Sequence, residues 1–430
     1  MAPFAAPSMT RADVTLGLAT AAVVALTAGQ HLVAATPPGG RAAPFVLLYE
    51  LTLVAMLVAT RATPSASPGA MRAMLAGGVV ARWSLVPIAS FTTTDVSRYL
   101  WDGWVVLHGA DPYRLAPDAP ALAPLRHTFP WNADHHDVVT CYPPLALACF
   151  ALAASCGPAL AALAWKALCA LASTVAARLA WHHDGAQRPY AALVVLAPWM
   201  LTEGGIGAHL DILLVPFILG AVQAREAERH DRAAMLYGVA IALKWVPLIG
   251  LPALVVSAPR RARFVALALS PAALTWAAAR ALGLRPPGSL AAVAEVWEFG
   301  APLYRALAWV LPYFPEVVRS ALTVATVCGV GLVAITPRRL DVRLRDSLGL
   351  QLFASPTSYP WYGLGFAALL SSAPSYWALA FLAISPLSYE VLDLYQTRGL
   401  WAPARWPVVA LGFAWLWGVV ADAAAGENEG

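Results

Sequence analysis

Residues 14–35 read VTLGLATAAVVALTAGQHLVAA, with no Asp, Glu, Lys or Arg among them. At 1.5 Å per residue such a helix covers about 33 Å, enough to cross the hydrocarbon core of a bilayer. No polar stripe faces an apolar one, as suits a helix surrounded by lipid. Working outward, comparable runs recur near 43–60, 72–91, 158–181, 189–203, 208–224, 264–284 and 316–336, and three or four more lie between 345 and 421. The expected fold is all-α and polytopic, with roughly eleven to thirteen transmembrane helices.

The composition agrees. Of 430 residues, 60% are hydrophobic and only 12% charged, where a soluble domain carries about 25% charged residues. Mean hydropathy is +0.64. These values exclude a soluble enzyme and a disordered chain. The net charge is +4, from 28 cations and 24 acids. The cations are scattered rather than striped with aromatics, so no nucleic-acid partner is expected. Five cysteines form no CxxC pair, so neither a disulfide framework nor a zinc ribbon is implied. The N-terminus lacks a cleavable leader pattern, and the first apolar run is expected to stay as a helix.

Cations set the orientation. Arg11, Arg61, Arg72, Arg188 and the clusters at 225–232, 260–263 and 338–345 fall on one side. Arg41, Arg98, Arg114, Arg126, Arg285, Arg305, Arg398 and Arg405 fall on the other. The first set predicts the cytoplasmic face, which leaves segment 93–143 extracytoplasmic. That assignment requires 145–156, too short to span, and 233–256, broken at Trp245-Val246-Pro247, to be re-entrant. Broken backbone at membrane depth must line a cavity or be buried in protein.

Segment 93–143 concentrates the polar chemistry. It holds Asp95, Asp102, Asp111, Asp118, Asp134 and Asp137, with His108, His127, His135 and His136. Residues 95–108 scan as one helix that Gly109 caps. Asp95, Arg98, Tyr99 and Asp102 share a face. Leu100, Trp101, Trp104 and Leu107 lie opposite and suit a membrane interface. A structural reading competes: Thr92 and Asp95 are spaced like a capping box, and Arg98 with Asp102 like a surface ion pair.

The pieces Thr94-Asp95-Val-Ser-Arg98-Tyr99-Leu-Trp101-Asp102-Gly103, Gly109-Ala-Asp111-Pro112-Tyr113-Arg114 and Tyr142-Pro143-Pro144-Leu145 carry a resemblance. So do Gly207-Ala-His209-Leu-Asp211, Lys244-Trp-Val-Pro247 and Ser355-Pro-Thr-Ser-Tyr-Pro360-Trp361-Tyr362. In this order they resemble GT-C glycosyltransferases that use a polyprenyl-phosphate-sugar donor, in particular bacterial membrane mannosyltransferases and, more distantly, the first mannosyltransferase of GPI-anchor synthesis. The resemblance implies transfer of a hexose, with mannose favoured, to a lipid or glycan acceptor at the extracytoplasmic face of a bacterial inner membrane. It implies inversion, with Asp95 as general base and polyprenyl phosphate as leaving group. It covers about residues 90–365. Residues 1–70 are expected to be two added helices, 71–400 the catalytic module, and 401–430 a last helix and cytoplasmic tail.

Physical chemistry proposes the remaining roles. A leaving phosphate needs cations, and Arg98 and Arg114 are the outside candidates, with Arg126 behind them. Asp102 and Tyr142 accompany them as substrate-binding candidates. His209 and Asp211 follow a glycine-rich turn and read either as site residues or as a structural polar pair, with Glu203 a lesser candidate. Lys244 meets the donor phosphate or caps the broken helix. Trp361 and Tyr362 stack on the sugar or belong to the aromatic belt. Glu295 and Glu298 bind acceptor or are solvated. The spacing of His127, Asp134, His135, His136 and Asp137 matches no zinc pattern, so no metal ligand and no cofactor are assigned, and a divalent metal, used by some relatives in the wider superfamily, is left open. The main rival is a transporter or flippase; it is disfavoured because no half-to-half repeat is visible.

Overall fold

The structure, a computed structural model, describes residues 9–131, 134–183, 186–187 and 189–427. Residues 1–8 and 428–430 of the expected first and last segments, and Arg188 of the arginine tally, lie outside them.

The N-terminal pair is α1 (Arg11–Ala35) and α2 (Ala42–Ala62), followed by α3 (Pro68–Ser84). Thr10 starts α1 through a capping box: its hydroxyl accepts the Asp13 N–H at 3.1 Å while the Asp13 carboxylate accepts the Thr10 N–H. The other Asp13 oxygen takes the Ser67 N–H at 2.7 Å, so one carboxylate ties the starts of α1 and α3 together. The polar segment contributes α4 (Asp95–Leu107) and α5 (Ala123–Arg126), and the chain then forms α6 (Pro144–Ala154), α7 (Ala161–Trp181), α8 (Ala192–Val195), α9 (Pro198–Gly205), α10 (Val215–Glu226), α11 (His230–Leu243) and α12 (Leu251–Val256). The last third holds α13 (Arg261–Ala281), α14 (Leu290–Val296), α15 (Pro302–Val310), α16 (Pro315–Ile335), α17 (Leu340–Ala354), α18 (Leu364–Ala367), α19 (Tyr376–Ile384), α20 (Val391–Arg398) and α21 (Trp406–Glu427).

The molecule is an all-α polytopic membrane protein. Among the described residues seven helices are long and apolar enough to cross a bilayer: Arg11–Ala35, Ala42–Ser65, Ala161–Trp181, Arg261–Ala281, Pro315–Ile335, Tyr376–Arg398 and Trp406–Ala425. The other apolar stretches form shorter pieces, so the larger count read from hydropathy includes broken helices. Run 189–203 divides where Pro198 opens α9. Run 208–224 opens as a 3-10 turn at Leu210–Leu213 before Pro216 starts α10. Proline lacks the N–H that would continue the ladder. The break expected near 245–247 is present: α11 ends at Leu243, Lys244 is extended (φ −154°, ψ 145°), and a 3-10 turn leads to α12.

One continuous apolar core runs from α1 to α21, with a small second cluster around Tyr304 and Leu322. Helix α4 is held inside this body by its contact with α6. A Cβ on Gly103 would lie 2.4 Å from the Phe150 carbonyl carbon, so only glycine lets the two backbones meet. Two expectations for α4 fail. Its tryptophan face is not presented to the interface: Trp101 is buried beside Trp131, and Trp104 stacks on Phe129 at 4.8 Å. Segment 115–131 folds back and covers it, because large aromatics gain more by packing than by partial exposure. The capping box is also absent. Thr94 is the N-cap, the Thr93 hydroxyl accepts the Asp95 N–H at 3.1 Å, and the Asp95 carboxylate points inward.

Candidate active site

Four pieces of chain converge on Asp95: the start of α4, the turn at 203–211, the break after α11, and the 3-10 turn Pro360–Gly363. As the first residue of α4, Asp95 has its side chain free to leave the helix. Its Oδ2 accepts from the Tyr99 hydroxyl at 3.1 Å and lies 3.2 Å from His209 Nδ1. That contact requires the hydrogen on Nδ1. No described group bonds Oδ1, and the side chain remains 32% exposed.

His209 is fully buried. Its ring stacks on Trp361 with centroids 3.7 Å apart and planes 10° from parallel. Its Nε2 lies 3.6 Å from Glu203 Oε2, which accepts the Tyr389 hydroxyl at 2.7 Å. The glycine-rich turn makes this placement possible. A Cβ at Gly207 would sit 2.6 Å from His209 Cδ2. Ala208 is driven to φ +47°, a conformation uncommon outside glycine, and its carbonyl is pinned by the Trp165 indole N–H at 2.8 Å.

Asp211 receives both Lys244 contacts, at 2.8 and 2.7 Å. The ammonium lies 4.3 Å from the Tyr362 ring centroid, a cation–π contact. The extended backbone at Lys244 releases its side chain from α11 toward Asp211. Tyr359 stacks on Trp361 at 4.4 Å, so this aromatic turn forms one wall. Burial pulls the Asp95 carboxyl upward, yet hydrogen bonds from His209 and Tyr99, with the His209 and Lys244 charges, outweigh it and hold Asp95 below its usual range.

Beside Asp95 lies a cavity of about 50 Å³ lined by Asp95, Arg98, His135, Cys141, Tyr142 and Trp297, among others. Arg98 donates through Nε to Asp102 at 2.9 Å, through Nη2 to the Val138 carbonyl at 2.7 Å, and through Nη1 to the His135 carbonyl at 3.2 Å. A guanidinium has five N–H donors, so two stay available to a ligand. Asp102 is buried beneath Arg98 and acts by orienting it. Burial pushes the Asp102 carboxyl up, against the pull of Arg98. The Cys141 thiol is pushed up to about 11 by burial, which removes it as a nucleophile at neutral pH.

Asp95, His209, Asp211, Lys244, Trp361 and Tyr362, spread over 268 positions of sequence, form one cluster. Tyr142 meets it edge-on to Tyr99 at 5.2 Å. Arg114 does not join: it is exposed, and its guanidinium makes no hydrogen bond or ion pair among the described residues. Arg126 is tied to the Pro117 and Ala119 carbonyls and stabilises its own loop. Glu298 is engaged by Arg319 at 2.6 Å and Arg305 at 3.3 Å, while Glu295 is exposed. His136 pairs with Asp118 at 2.9 Å, and His135 packs on Trp297. Among the described residues no three His, Cys, Asp or Glu side chains converge as a metal set. Sequence reasoning ranked Glu203 low and gave Tyr99 no role. It missed Tyr389 altogether, which stands between Ser388 and Glu390 with no motif around it.

A family model described as the N-terminal domain of alpha-(1->6)-mannopyranosyltransferases matches residues 9–260, more than half of the chain. The chain belongs to that family and is a membrane glycosyltransferase of the mannosyltransferase type. The match includes Asp95, Arg98, Glu203, His209, Asp211 and Lys244; Trp361, Tyr362 and Tyr389 lie beyond it. No curated protein and no solved structure matches the chain.

Proposed function

We propose, starting from that membership, that the protein transfers mannose from a polyprenyl-phosphate donor to the primary hydroxyl of a mannose-bearing lipid or glycan, with inversion and with Asp95 as general base. The observation that carries this reading is the asymmetry of Asp95. One oxygen is fixed by Tyr99 and His209, while the other is unengaged beside the cavity that Arg98 lines.

In the reaction, the acceptor oxygen attacks the anomeric carbon and its proton passes to Asp95 Oδ1. The bond from that carbon to phosphate oxygen breaks, and the electron pair leaves with polyprenyl phosphate. Inversion converts a β-linked donor into an α-linked product. Held below its usual carboxyl range, Asp95 is ionised at neutral pH and therefore able to accept a proton. The two spare Arg98 donors face the charge that grows on the leaving phosphate. His209, clamped by Trp361, fixes the carboxylate, and Lys244, held by Asp211, does not compete for Oδ1. The aromatic wall of Tyr359, Trp361 and Tyr362 supplies faces for a sugar ring. A cavity of about 50 Å³ holds only a few waters, so its walls have to part when the sugar enters.

Purified protein incubated with radiolabelled polyprenyl-phosphate sugars and mannosyl acceptors tests this reading. Mannose transfer is expected, and Asp95→Asn should lower kcat by about 10³-fold with folding intact. Undiminished turnover in that variant refutes the assignment of the base. We propose an extracytoplasmic site; a cysteine introduced at His135 should then react with an impermeant reagent on whole cells, and reaction only after permeabilisation would reverse the orientation.

A further inference from the structure

Helices α10 and α11 form a hairpin with two ends. One end brings Asp211 and Lys244 to the reaction centre. The other carries Arg225, in the last turn of α10, and His230, the first residue of α11. At 1.5 Å per residue, helices of 12 and 14 residues put this second end about 20 Å from the first. Here the span Arg261–Ala281 begins and the span Pro315–Ile335 ends, so this end of the hairpin lies at a membrane boundary.

Arginines crowd the boundary, and most are neutralised. Arg263 pairs with Asp231 at 2.6 Å, Arg339 with Asp341 at 2.7 Å, and Arg338 and Arg345 with Asp346 at 3.3 and 2.7 Å. Arg225 and Arg343 differ: among the described residues neither has a carboxylate within ion-pair distance. Arg343 is only 7% exposed, and it spends one of its five N–H donors, on the Ala334 carbonyl at 2.7 Å. Half-buried Arg225 donates through Nη2 to the Ser257 carbonyl and hydroxyl at 2.8 and 3.0 Å, and through Nη1 to His230 Nδ1. The Nε of each arginine is buried and meets no acceptor among the described residues.

The two guanidiniums also act on each other. Burial lowers the pKa of both, and the Arg343 charge lowers that of Arg225 further. Their carbonyl partners lie at the C-terminal ends of α16 and α12. A helix C-terminus supplies about −0.5 of a charge, so two such ends offset about half of the two cations. A buried cation without its full counter-charge is costly, and the remainder calls for an anion. The surroundings say which kind. Exposed Arg261 donates to the Val256 carbonyl at 2.9 Å, one residue before Ser257, and adds a cation at the rim. On either side of Ala334, Leu332 and Ile335 are 65% and 67% exposed, an apolar surface suited to contact with lipid.

We propose that Arg343 and Arg225 form a phosphate-binding site for an anionic phospholipid of the leaflet opposite Asp95, where α12, α16 and α17 meet. The headgroup phosphate accepts from the unspent donors of Arg343 and Arg225, in the charge-assisted geometry that guanidinium favours. An acyl chain lies along the Leu332 and Ile335 side of α16. The site is independent of the catalytic base and of the sugar donor, and it clamps the hairpin that carries Asp211 and Lys244.

The test uses the purified full chain, stripped of lipid in a neutral detergent. Phosphatidylglycerol, phosphatidylcholine or inorganic phosphate is added in turn at equal concentration, and the melting temperature and the lipid retained in native mass spectrometry are recorded. Phosphatidylglycerol is expected to be retained and to raise the melting temperature, and the other two are not. Arg225→Gln should weaken phosphatidylglycerol binding about tenfold, the loss of one charge-assisted contact. Arg343→Met should abolish the rise while melting, without lipid, no lower than the wild type, because it removes a buried charge that lacks a counter-ion. An arginine that only caps α16 would give the opposite sign. An equal response to inorganic phosphate would assign the site to a free anion, and an equal response to phosphatidylcholine would remove its charge selectivity; either overturns the proposal. So would an undiminished phosphatidylglycerol response in both variants, or a lower lipid-free melting temperature in Arg343→Met.

Discussion

The cluster around Asp95 and the groove between α15 and α21 are built on opposite principles. In the cluster, buried polar groups are paired across the chain: Asp95 with His209 and Tyr99, Asp211 with Lys244, Glu203 with Tyr389, while His209 Nε2 and Glu203 Oε1 make no hydrogen bond among the described residues. In the groove, apolar side chains stand open and charge is confined to the rim. A network of buried charges depends on every partner, because an unmatched one has lost its hydration without replacement. An apolar wall facing lipid loses little when one side chain changes. The cluster is therefore expected to be brittle, and the groove tolerant.

Breaking the buried pair should give the largest effect. Lys244→Met leaves Asp211 uncompensated and should destabilise the protein by about 3–5 kcal/mol, read as a loss of thermal stability in detergent. Lys244→Met with Asp211→Asn should restore much of it, and failure to recover would mean that the pair does not act as a unit. Next comes His209→Ala, which removes a hydrogen bond to a charged group. Such bonds contribute about 1.5–3 kcal/mol, so kcat should fall roughly 10- to 150-fold.

The same variant carries a pH signature. The Asp95 carboxyl is held below its ordinary pKa, so the wild-type rate should be lost only as pH falls beneath the usual aspartate range, near 3.9. Without His209 that lowering is lost, and the acid limb of the profile should move to higher pH. An unmoved limb would show that His209 does not tune Asp95. The smallest effect is expected in the groove, where Phe413→Ala should leave the melting temperature unchanged because the ring faces outward. A clear loss of stability there would erase the contrast between the two regions.

Much of the cluster was legible because polar residues stand out in an apolar chain. Asp95, His209, Asp211 and Lys244 are each costly at membrane depth without a partner, so each announces a partner. Pairing was harder. The break in α11 was visible at Pro247, but not that it would deliver Lys244 to Asp211, since the expected topology brought it from the far face. Glu203 and Tyr389 lie 186 residues apart, and no local pattern links them. Trp101 and Trp104 looked interfacial on a helical wheel, which cannot show that a later loop covers them. Arg114 matched by motif yet stays outside the cluster, because a short turn fixes its backbone and not its reach.

The sequence by itself determined the class of molecule and the chemical inventory. Hydropathy summed over twenty residues decides whether a helix is stable in lipid, and that sum is local. Which carboxylate is fixed by which imidazole, which guanidinium keeps spare donors, and where two helices part to leave a groove were decided only by tertiary structure. Those outcomes depend on side-chain distances of 3 to 4 Å between segments far apart in the chain, and they arise only when glycines such as Gly103 and Gly207 let backbone and rings approach.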